Sequence, residues 1–536
     1  MTIRPLMLLA ALFLGPQACT RQPEPPPIRN APVPVAAYHF VGAARVAASP
    51  DGTKLREIGA FSESRALWQH AVERMVRAPG PLSGGRLPAS AVQAAAPWLR
   101  PLLTDLWQRE SALRVQRQDA KSWEWTLAVD LGPERVGVWR TNLVGLAELW
   151  NLGTVLQGTA GDLPTMEIHG TNASVRIRWV EAGSWGLLGI GSPALPGLVD
   201  VLGHLRDSQR PVPALTNAWL SVSANLAQLA GPLGLASGMD WPEVDLAWRG
   251  DGEHVRAGGR IRFSRELTGP LDAWQVPTNL VSEPLISFSA VRGVRPILQQ
   301  VEWLRPLQLD PLPDQLFAWA QGTAEGQLYC AFPMPGLAGL LPRWVTNAPQ
   351  IFPAWARDMK LTQFEYYANE ASLSWRGILP VITPNLKSVR HQDQEFAYGA
   401  LFPPIPLGPP PDELLAQLAR DDLVYYSWEV STPRITQWIA LSQLLSVMTQ
   451  TPQLAGGQPA LSWLFRAAPE LGNAATEMLA VSPREWRLDR KSTVGFTAAE
   501  LILGLRWLDS ASFPRLSLLL DRPGATRHQA TSPGQP

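Results

Sequence analysis

The sequence predicts an α+β fold with a large, mostly antiparallel sheet, helices packed on one face and a helical N-terminal region. Short segments alternate apolar with polar or small residues, which is the periodicity of half-buried strands. Several of these segments run directly into residues that start helices. Two stretches of the chain also resemble each other, which indicates a probable internal duplication.

Residues 37–120 are predicted to be mostly helical. Ser62 can cap a helix that runs to about Arg77, because apolar residues recur along it at spacings of three and four. The next helical stretch contains Pro97 and Pro101, which are expected to kink it or to divide it in two.

After residue 121 the chain alternates between strands and helices. The expected strands are Trp123–Val129, Arg135–Trp139, Thr165–Gly170, Ser174–Val180, Trp185–Ile190 and Leu423–Val430. The expected helix starts are Thr141, Ser192–Pro193, Thr432–Pro433 and the capping box Thr497–Glu500. A hairpin is expected at 244–263, turning at Gly250–Gly252.

The resembling stretches each carry a Ser-x-Ser-Ala segment, a helical stretch and a Pro-acid-x-x-x-Ala-Trp segment. They begin at Ser221 and Ser287 and end at Trp248 and Trp319. If they are duplicates, the two tryptophans are equivalent and each is buried between its sheet and a helix. The alternatives are chance similarity in a biased composition and exposed tryptophans that bind a sugar.

These observations divide the chain into six segments. They are a signal peptide (1–18), a Pro-rich tether (19–36), a helical N-terminal region (37–120), a first α+β unit (121–270), a second α+β unit (271–520) and a disordered tail (521–536).

The first residues carry an export signal. Arg4 precedes the uncharged apolar run Leu6–Leu14, and Ala18 precedes Cys19. This arrangement resembles a bacterial lipoprotein signal peptide, which implies that Cys19 receives the lipid and becomes the mature N-terminus. The resemblance also implies a cell-envelope protein that is anchored to a bacterial membrane and faces the periplasm or the exterior. Cleavage after Ala18 by the ordinary signal peptidase is the alternative.

The residues after Cys19 suit a spacer. Six prolines lie between Thr20 and Val35, and such a segment stays extended rather than burying apolar surface. The uncharged segments 211–239 and 436–465 lack a continuous apolar run of about 18 residues, so they are predicted to be buried rather than membrane-spanning.

Composition restricts the partners. Lys plus Arg equals Asp plus Glu at 46 each, so the chain has no electrostatic basis for binding nucleic acid. The chain has two cysteines, and lipidation of Cys19 leaves Cys330 without a disulfide partner. Cys330 lies in a predicted strand, where it is expected to be buried and inert.

The common catalytic motifs are missing from the sequence, including Gly-x-Ser-x-Gly, Ser-x-x-Lys, His-Glu-x-x-His and Cys-x-x-Cys. Glu167 with His169, and His391 with Asp393 and Glu395, alternate along strands as metal ligands can. Solvated polar faces have the same pattern. No catalytic, cofactor or metal residue is therefore assigned, and no cofactor is expected.

The sequence favours a non-catalytic, membrane-tethered lipoprotein with a structural or partner-binding role in the cell envelope. Its expected partners are the membrane, through the lipid anchor, and an envelope protein, whereas any small-molecule ligand stays unknown. Two alternatives remain open: an exported hydrolase with scattered catalytic residues, and a carrier of a lipid or other apolar ligand. The uncharged segments 211–239 and 436–465 motivate the carrier.

Overall fold

The computed structural model describes residues 34–83, 86–117, 122–170, 175–233, 239–267, 271–300, 309–322, 327–341, 365–369, 372–376, 385–401, 408–449, 458–510 and 513–514. The predicted signal peptide, Cys19 and the predicted tail 521–536 lie outside these residues.

Twenty strands are described. They are β1 (Pro34–Phe40), β2 (Ser111–Arg117), β3 (Trp123–Asp130), β4 (Thr154–Ala160), β5 (Leu163–His169), β6 (Arg176–Ala182), β7 (Trp185–Gly191), β8 (Leu220–Asn225), β9 (Glu243–Asp251), β10 (His254–Arg262), β11 (Leu285–Arg292), β12 (Gln315–Gln321), β13 (Leu328–Pro333), β14 (Glu365–Asn369), β15 (Ser372–Arg376), β16 (Asn385–His391), β17 (Gln394–Ala400), β18 (Leu423–Val430), β19 (Asn473–Ser482) and β20 (Glu485–Ser492).

The α-helices surround these strands. They are α1 (Ala43–Ala48), α2 (Thr53–Gly59), α3 (Ser62–Arg77), α4 (Pro79–Leu82), α5 (Ala89–Ala94), α6 (Ala96–Gln108), α7 (Pro133–Leu149), α8 (Pro196–Ser208), α9 (Leu226–Leu233), α10 (Arg295–Leu298), α11 (Asp412–Leu418), α12 (Ser431–Thr449), α13 (Pro459–Ala467) and α14 (Ala498–Asp509). Helices α1–α6 confirm that the N-terminal region is largely helical.

The strands form one hydrogen-bonded sheet. Its order is β4-β5-β6-β7-β3-β2-β1-β8-β9-β10-β20-β19-β18-β11-β12-β13-β17-β16-β15-β14, and every strand pairing in the described residues is antiparallel. The predicted α+β class with a large antiparallel sheet is therefore confirmed.

The strand order repeats itself about the central β10–β20 pair. Strands β1–β10, which we call the first unit (34–262), follow the same order outward as strands β11–β20, the second unit (285–492). The first two strands of each unit also share an irregularity in register, between Pro34 and Ala36 in one and between Leu285 and Ser287 in the other. This irregularity aligns the two units residue by residue.

The alignment corrects the equivalences expected from sequence. The Ser221 strand, β8, corresponds to β18 and not to the Ser287 strand, because each is the eighth strand of its unit. Trp248 and Trp319 are both buried, as predicted, but they belong to different core clusters. The similarity between the two sequence blocks therefore joins strands that take different places in the two units. The repeated strand order begins at β1 and again at β11.

Helices pack on both faces of the sheet, so the expectation of one covered face is wrong. Ala128 and Val129 are neighbours on β3, and the strand pleat directs them to opposite sides. Ala128 belongs to a core cluster with Leu198 of α8, whereas Val129 belongs to one with Trp139 of α7. A sheet whose strands are apolar on both sides needs cover on both sides.

Most local predictions are confirmed, but Ser192–Pro193 lies in a turn, and the helix expected to start there, α8, begins at Pro196. Thr497 and Glu500 form both hydrogen bonds of the capping box at the start of α14. The hairpin expected at 244–263 is β9–β10. Residues Arg135–Trp139, expected to be a strand, lie inside α7, because Pro133 occupies the first helical turn and starts the helix earlier than Thr141.

Within the ranges given above, no helix is both long enough and apolar enough to cross a bilayer.

Candidate ligand-binding pocket

Five strands of the first unit, β2-β1-β8-β9-β10, carry small and polar side chains on one face. Pairing places these residues in two adjacent rows across the strands. The arginine row consists of Arg114, Ala37, Ser223, Asp245 and Arg260. The histidine row consists of Ala112, His39, Ser221, Ala247 and Gly258. Alternate residues of the same strands, such as Val222 and Leu246, pack into the core on the other face.

The two rows form the floor of a cavity of about 590 Å³. Val212 and Pro213, from the loop between α8 and β8, contribute a wall, and Arg262 lines one side. This volume lies in the range of small-molecule sites, which is about 300–1,000 Å³. The cavity is therefore large enough to take a ligand or a side chain of a partner.

A buried carboxylate ties the wall to the floor. Glu110, just before β2, lies 2.8 Å from His39 Nε2 through its Oε1. Arg45 donates to its Oε2 at 2.8 Å, and Arg210, at the start of the wall loop, donates to its Oε1. We call Glu110 with these three partners the Glu110 clamp. It joins β1, α1 and the wall loop at one end of the cavity.

The clamp favours the ionised form of Glu110. Burial alone would raise the pKa of this carboxyl, but the hydrogen bond with His39 and the charges of Arg210, His39 and Arg45 outweigh burial and leave the pKa lowered. Because Glu110 is occupied by three partners of its own, it does not neutralise the arginines of the cavity.

The cavity arginines differ in how far they are paired. Arg262 lies 2.8 Å from Asp245 and also approaches Glu243 and Glu485. Arg260 lies 3.6 Å from Glu485 and has a side chain that is 63% exposed, so this pair is weak. Arg114 has no hydrogen bond or ion pair with any residue in the described ranges. Arg114 and Arg260 thus remain available at the two ends of the arginine row.

The same face of the second unit is filled. Its counterparts of the arginine row are Trp319, Phe288, Trp428, Ala475 and Lys491, and those of the histidine row are Phe317, Ala290, Tyr426, Glu477 and Asp489. Trp319 and Phe288 are almost completely buried in a cluster that includes residues of α11. Aromatic side chains therefore occupy the volume that stays open in the first unit.

Of the two metal-ligand candidates from sequence, Glu167 and His169 do come together. His169 Nε2 lies 2.8 Å from Glu167 Oε2 on β5. However, Arg178 donates to the other oxygen of Glu167, and Arg176 lies 3.7 Å from Oε2. Two arginines beside one carboxylate disfavour a metal cation, so we interpret Glu167 and His169 as part of an ion-pair network.

The second candidate does not converge. His391 ends β16, Asp393 lies in the turn, and Glu395 belongs to β17, so the three residues span a hairpin rather than one strand. His391 Nε2 contacts Thr278 Oγ1 at 2.9 Å. Glu395 instead accepts hydrogen bonds from Ser388 and from the backbone of Gly336 and Ala338. Across the described part of the chain, no group of three or more possible ligands could hold a metal ion.

Cys330 lies on β13, as predicted, but it is exposed, and the expectation of burial is wrong. The pleat turns Tyr329 and Ala331 into the core and leaves Cys330 on the other side. Local desolvation raises the pKa of the thiol, which keeps it protonated at neutral pH. Cys19 lies outside the described residues.

The cavity residues were not identified from sequence. Glu110 and His39 are separated by 71 positions, and only the β1–β2 pairing brings them together. The sequence did contain a weak signal. Ser221 and Ser223 alternate with Leu220 and Val222, so one face of this strand is polar.

No protein-family model, curated protein or solved structure matches the chain.

Proposed function

We propose that the chain is an exported, non-catalytic lipoprotein that is anchored to a bacterial membrane through Cys19 and binds a ligand or an envelope partner in the first-unit cavity. The anchor rests on the apolar run Leu6–Leu14, on Ala18 before Cys19 and on the proline-rich segment that follows. A body held near a membrane by a flexible spacer can reach partners within the length of that spacer.

One observation carries the binding role. The two units share a strand frame, yet one fills a sheet face with aromatic side chains and the other leaves about 590 Å³ open over the same rows. Filling such a cavity with apolar side chains would add stability, so its persistence favours use as a binding surface.

The carrier alternative loses its motivation. In the uncharged segment 436–465, Ile439 and Trp463 belong to one packed core cluster, and in segment 211–239, Leu226 and Leu229 belong to another. The apolar residues that suggested a lipid cavity thus stabilise the fold, while the cavity lining includes three arginines, an aspartate and a histidine beside its apolar side chains.

The shared frame also supports an internal duplication of one ten-strand unit. Gln116 and Gln321 take equivalent places beside the register irregularity, and both are buried although glutamine is usually exposed. We infer that two copies of an ancestral unit were joined through the β10–β20 pair and that the cavity face then diverged.

The anchor is tested by Cys19→Ala. We expect this variant to move from the membrane to the soluble fraction and to lose labelling by a fatty-acid precursor, because the sulfur carries the lipid. A variant that still partitions to the membrane and still takes up label would contradict the anchor.

The cavity is tested by Ser223→Trp, which copies Trp428 from the second unit. Native mass spectrometry of protein isolated from its own cell envelope would detect a retained small molecule, and chemical cross-linking in cells would detect a bound protein. We expect the wild type to carry an adduct that Ser223→Trp loses. Phe465→Trp, at an exposed position on α13, is the matched control and should keep it. An adduct that Ser223→Trp retains would contradict binding in the cavity.

A hydrolase is the second candidate, and one observation favours it. His39 is bonded to Glu110 on one side and is the direct cross-strand neighbour of Ser221 on the other, which resembles an acid–base–nucleophile series. Against it, no His39–Ser221 hydrogen bond is present among the bonds of the described residues. Glu110 is also shared with two arginines.

A fluorophosphonate probe separates the two functions, because it reacts covalently with an activated serine. We expect no labelling of the wild type. Labelling that disappears in Ser221→Ala would replace the binding role with hydrolysis.

A further inference from the structure

Building on the proposed function, we infer that the first-unit cavity binds a soluble organic anion whose acidic group, a carboxylate or a phosphate, pairs with Arg114. The cavity lining holds three arginines and one aspartate. Glu243 and Glu485 lie close to Arg260 or Arg262, so the positive charge that no carboxylate of the described residues offsets is that of Arg114.

Arg114 is the residue best placed to receive the anion. It lines the cavity, it has no carboxylate partner in the described ranges, and its guanidinium can bind a carboxylate or phosphate through two parallel hydrogen bonds. Arg262, by contrast, already contacts Asp245, and Arg260 lies beside Glu485 and is largely exposed. An acidic group at the Arg114 end would meet the least competition from protein carboxylates.

Neighbouring residues can complete the site. Ser223 lies two strands from Arg114 in the arginine row, and Ser221 occupies the next row beside His39. Their hydroxyls can donate hydrogen bonds to an anionic oxygen. Ala37, Ala112 and Ala247 provide an apolar floor between these groups, which suits the carbon skeleton of the ligand.

Calorimetric titration of the purified full-length protein tests this inference. The probes are inorganic phosphate, succinate and succinamide, the last being a neutral analogue of succinate. We expect saturable binding of phosphate or succinate but not of succinamide. Arg114→Gln should weaken binding at least about tenfold, while Arg114→Lys should retain part of it, since it keeps the charge but not the bidentate geometry.

Arg256→Gln is the matched control. Arg256 lies on β10 on the same face, outside the cavity lining, and it approaches Asp251 and Asp489. Its replacement should leave binding unchanged. Failure of both anions to bind, or undiminished binding by Arg114→Gln, would overturn the inference.

Two further outcomes would distinguish a wrong anion inference from a wrong cavity function. If succinamide binds as well as succinate and Ser223→Trp blocks both, the anion inference fails while the proposed cavity function stands. Arg114-dependent binding to phosphatidylglycerol vesicles, absent with phosphatidylcholine, would replace the soluble anion with a lipid headgroup and thereby overturn the inference as stated.

Discussion

The two units place different chemistry on the same strand frame. At the position of Glu110 in the first unit, the second unit has Gln315, which is also buried. Glu110 holds the wall loop through Arg210, whereas Gln315 holds the segment before β11 through the Ala273 carbonyl and the Gln275 amide. In the first unit the wall loop leaves a cavity open. In the second unit the segment before β11 lies against a filled aromatic face that includes Trp274.

The comparison indicates that strand pairing can persist while the side chains on one face of the sheet change. Strand pairing is the same in both units, although the face opposite the cavity has changed as well, since Val222 and Leu246 there correspond to Ser427 and Thr476 in the second unit. Side chains on the other face are free to change, because replacing Ala37 by the equivalent Phe288, or Ser223 by Trp428, alters packing without altering the ladder. We therefore assign binding to the face that is open and stability to the face that is filled.

The largest expected effect is a difference in the free energy of unfolding between substitutions on the filled face of the second unit and on the open face of the first. Trp319→Ala should lower the free energy of unfolding by about 3–5 kcal/mol, because it opens a cavity in an almost completely buried site. Arg114→Ala, at the equivalent position, should change it by less than about 1 kcal/mol. Denaturant unfolding of both variants measures this difference. Equal losses of stability would contradict the description of one face as open and the other as packed.

The Glu110 clamp gives an intermediate effect. Glu110→Gln should cost about 1–3 kcal/mol, because three donors lose a buried ionised acceptor. The pKa of Glu110 is lowered in the folded state, so this contribution is full above the unfolded pKa and is lost as pH falls through the folded one. Unfolding curves of wild type and variant should thus converge in acid.

Glu243→Gln serves as the control for the clamp, since Glu243 is an exposed carboxylate at 3.8 Å from Arg262. It should cost less than about 0.5 kcal/mol. A cost for Glu110→Gln that persists undiminished in acid would show that the clamp contributes packing rather than charge.

Filling the cavity should have a small effect on stability. Ser223→Trp should change the free energy of unfolding by no more than about 1 kcal/mol in either direction, since open volume receives the ring. Thermal unfolding checks this. A loss of about 3 kcal/mol would mean that the first-unit face is already packed.

The smallest effect concerns Cys330. The exposed thiol should react with a maleimide at neutral pH, but slowly, because its raised pKa keeps the thiolate scarce. The labelling rate should still rise at pH values where the rate of a free thiol of ordinary pKa has levelled off. Cys330→Ala should abolish labelling of the folded part of the chain. Fast labelling at neutral pH would contradict the raised pKa.

Local structure was predictable from sequence where the signal was local. The capping box at Thr497 and Glu500 and the β9–β10 hairpin depend on residues within one turn, and both were predicted. Strand β18 was also predicted at its observed bounds. These elements need no knowledge of distant partners.

The order of the strands and the cavity were not predictable in this way. Pairing of β3 with β7 and of β10 with β20 joins segments that are far apart in the chain, and no periodicity specifies such partners. The clamp depends in the same way on the β1–β2 pairing and on the position of the wall loop, since His39, Glu110 and Arg210 come from three separate segments. The similarity of the Ser221 and Ser287 blocks misled because it compared strands that take different places in the frame.

Cysteine accessibility at two alanines tests the central difference most directly. Ala37 lies on the floor of the open cavity, and Ala290 lies on the filled face of the equivalent strand β11. In a background with Cys19→Ala and Cys330→Ala, we expect Ala37→Cys to react with a maleimide about a hundredfold faster than Ala290→Cys, because the second position requires local opening. Equal rates would contradict the assignment of an open binding face to the first unit and a filled face to the second.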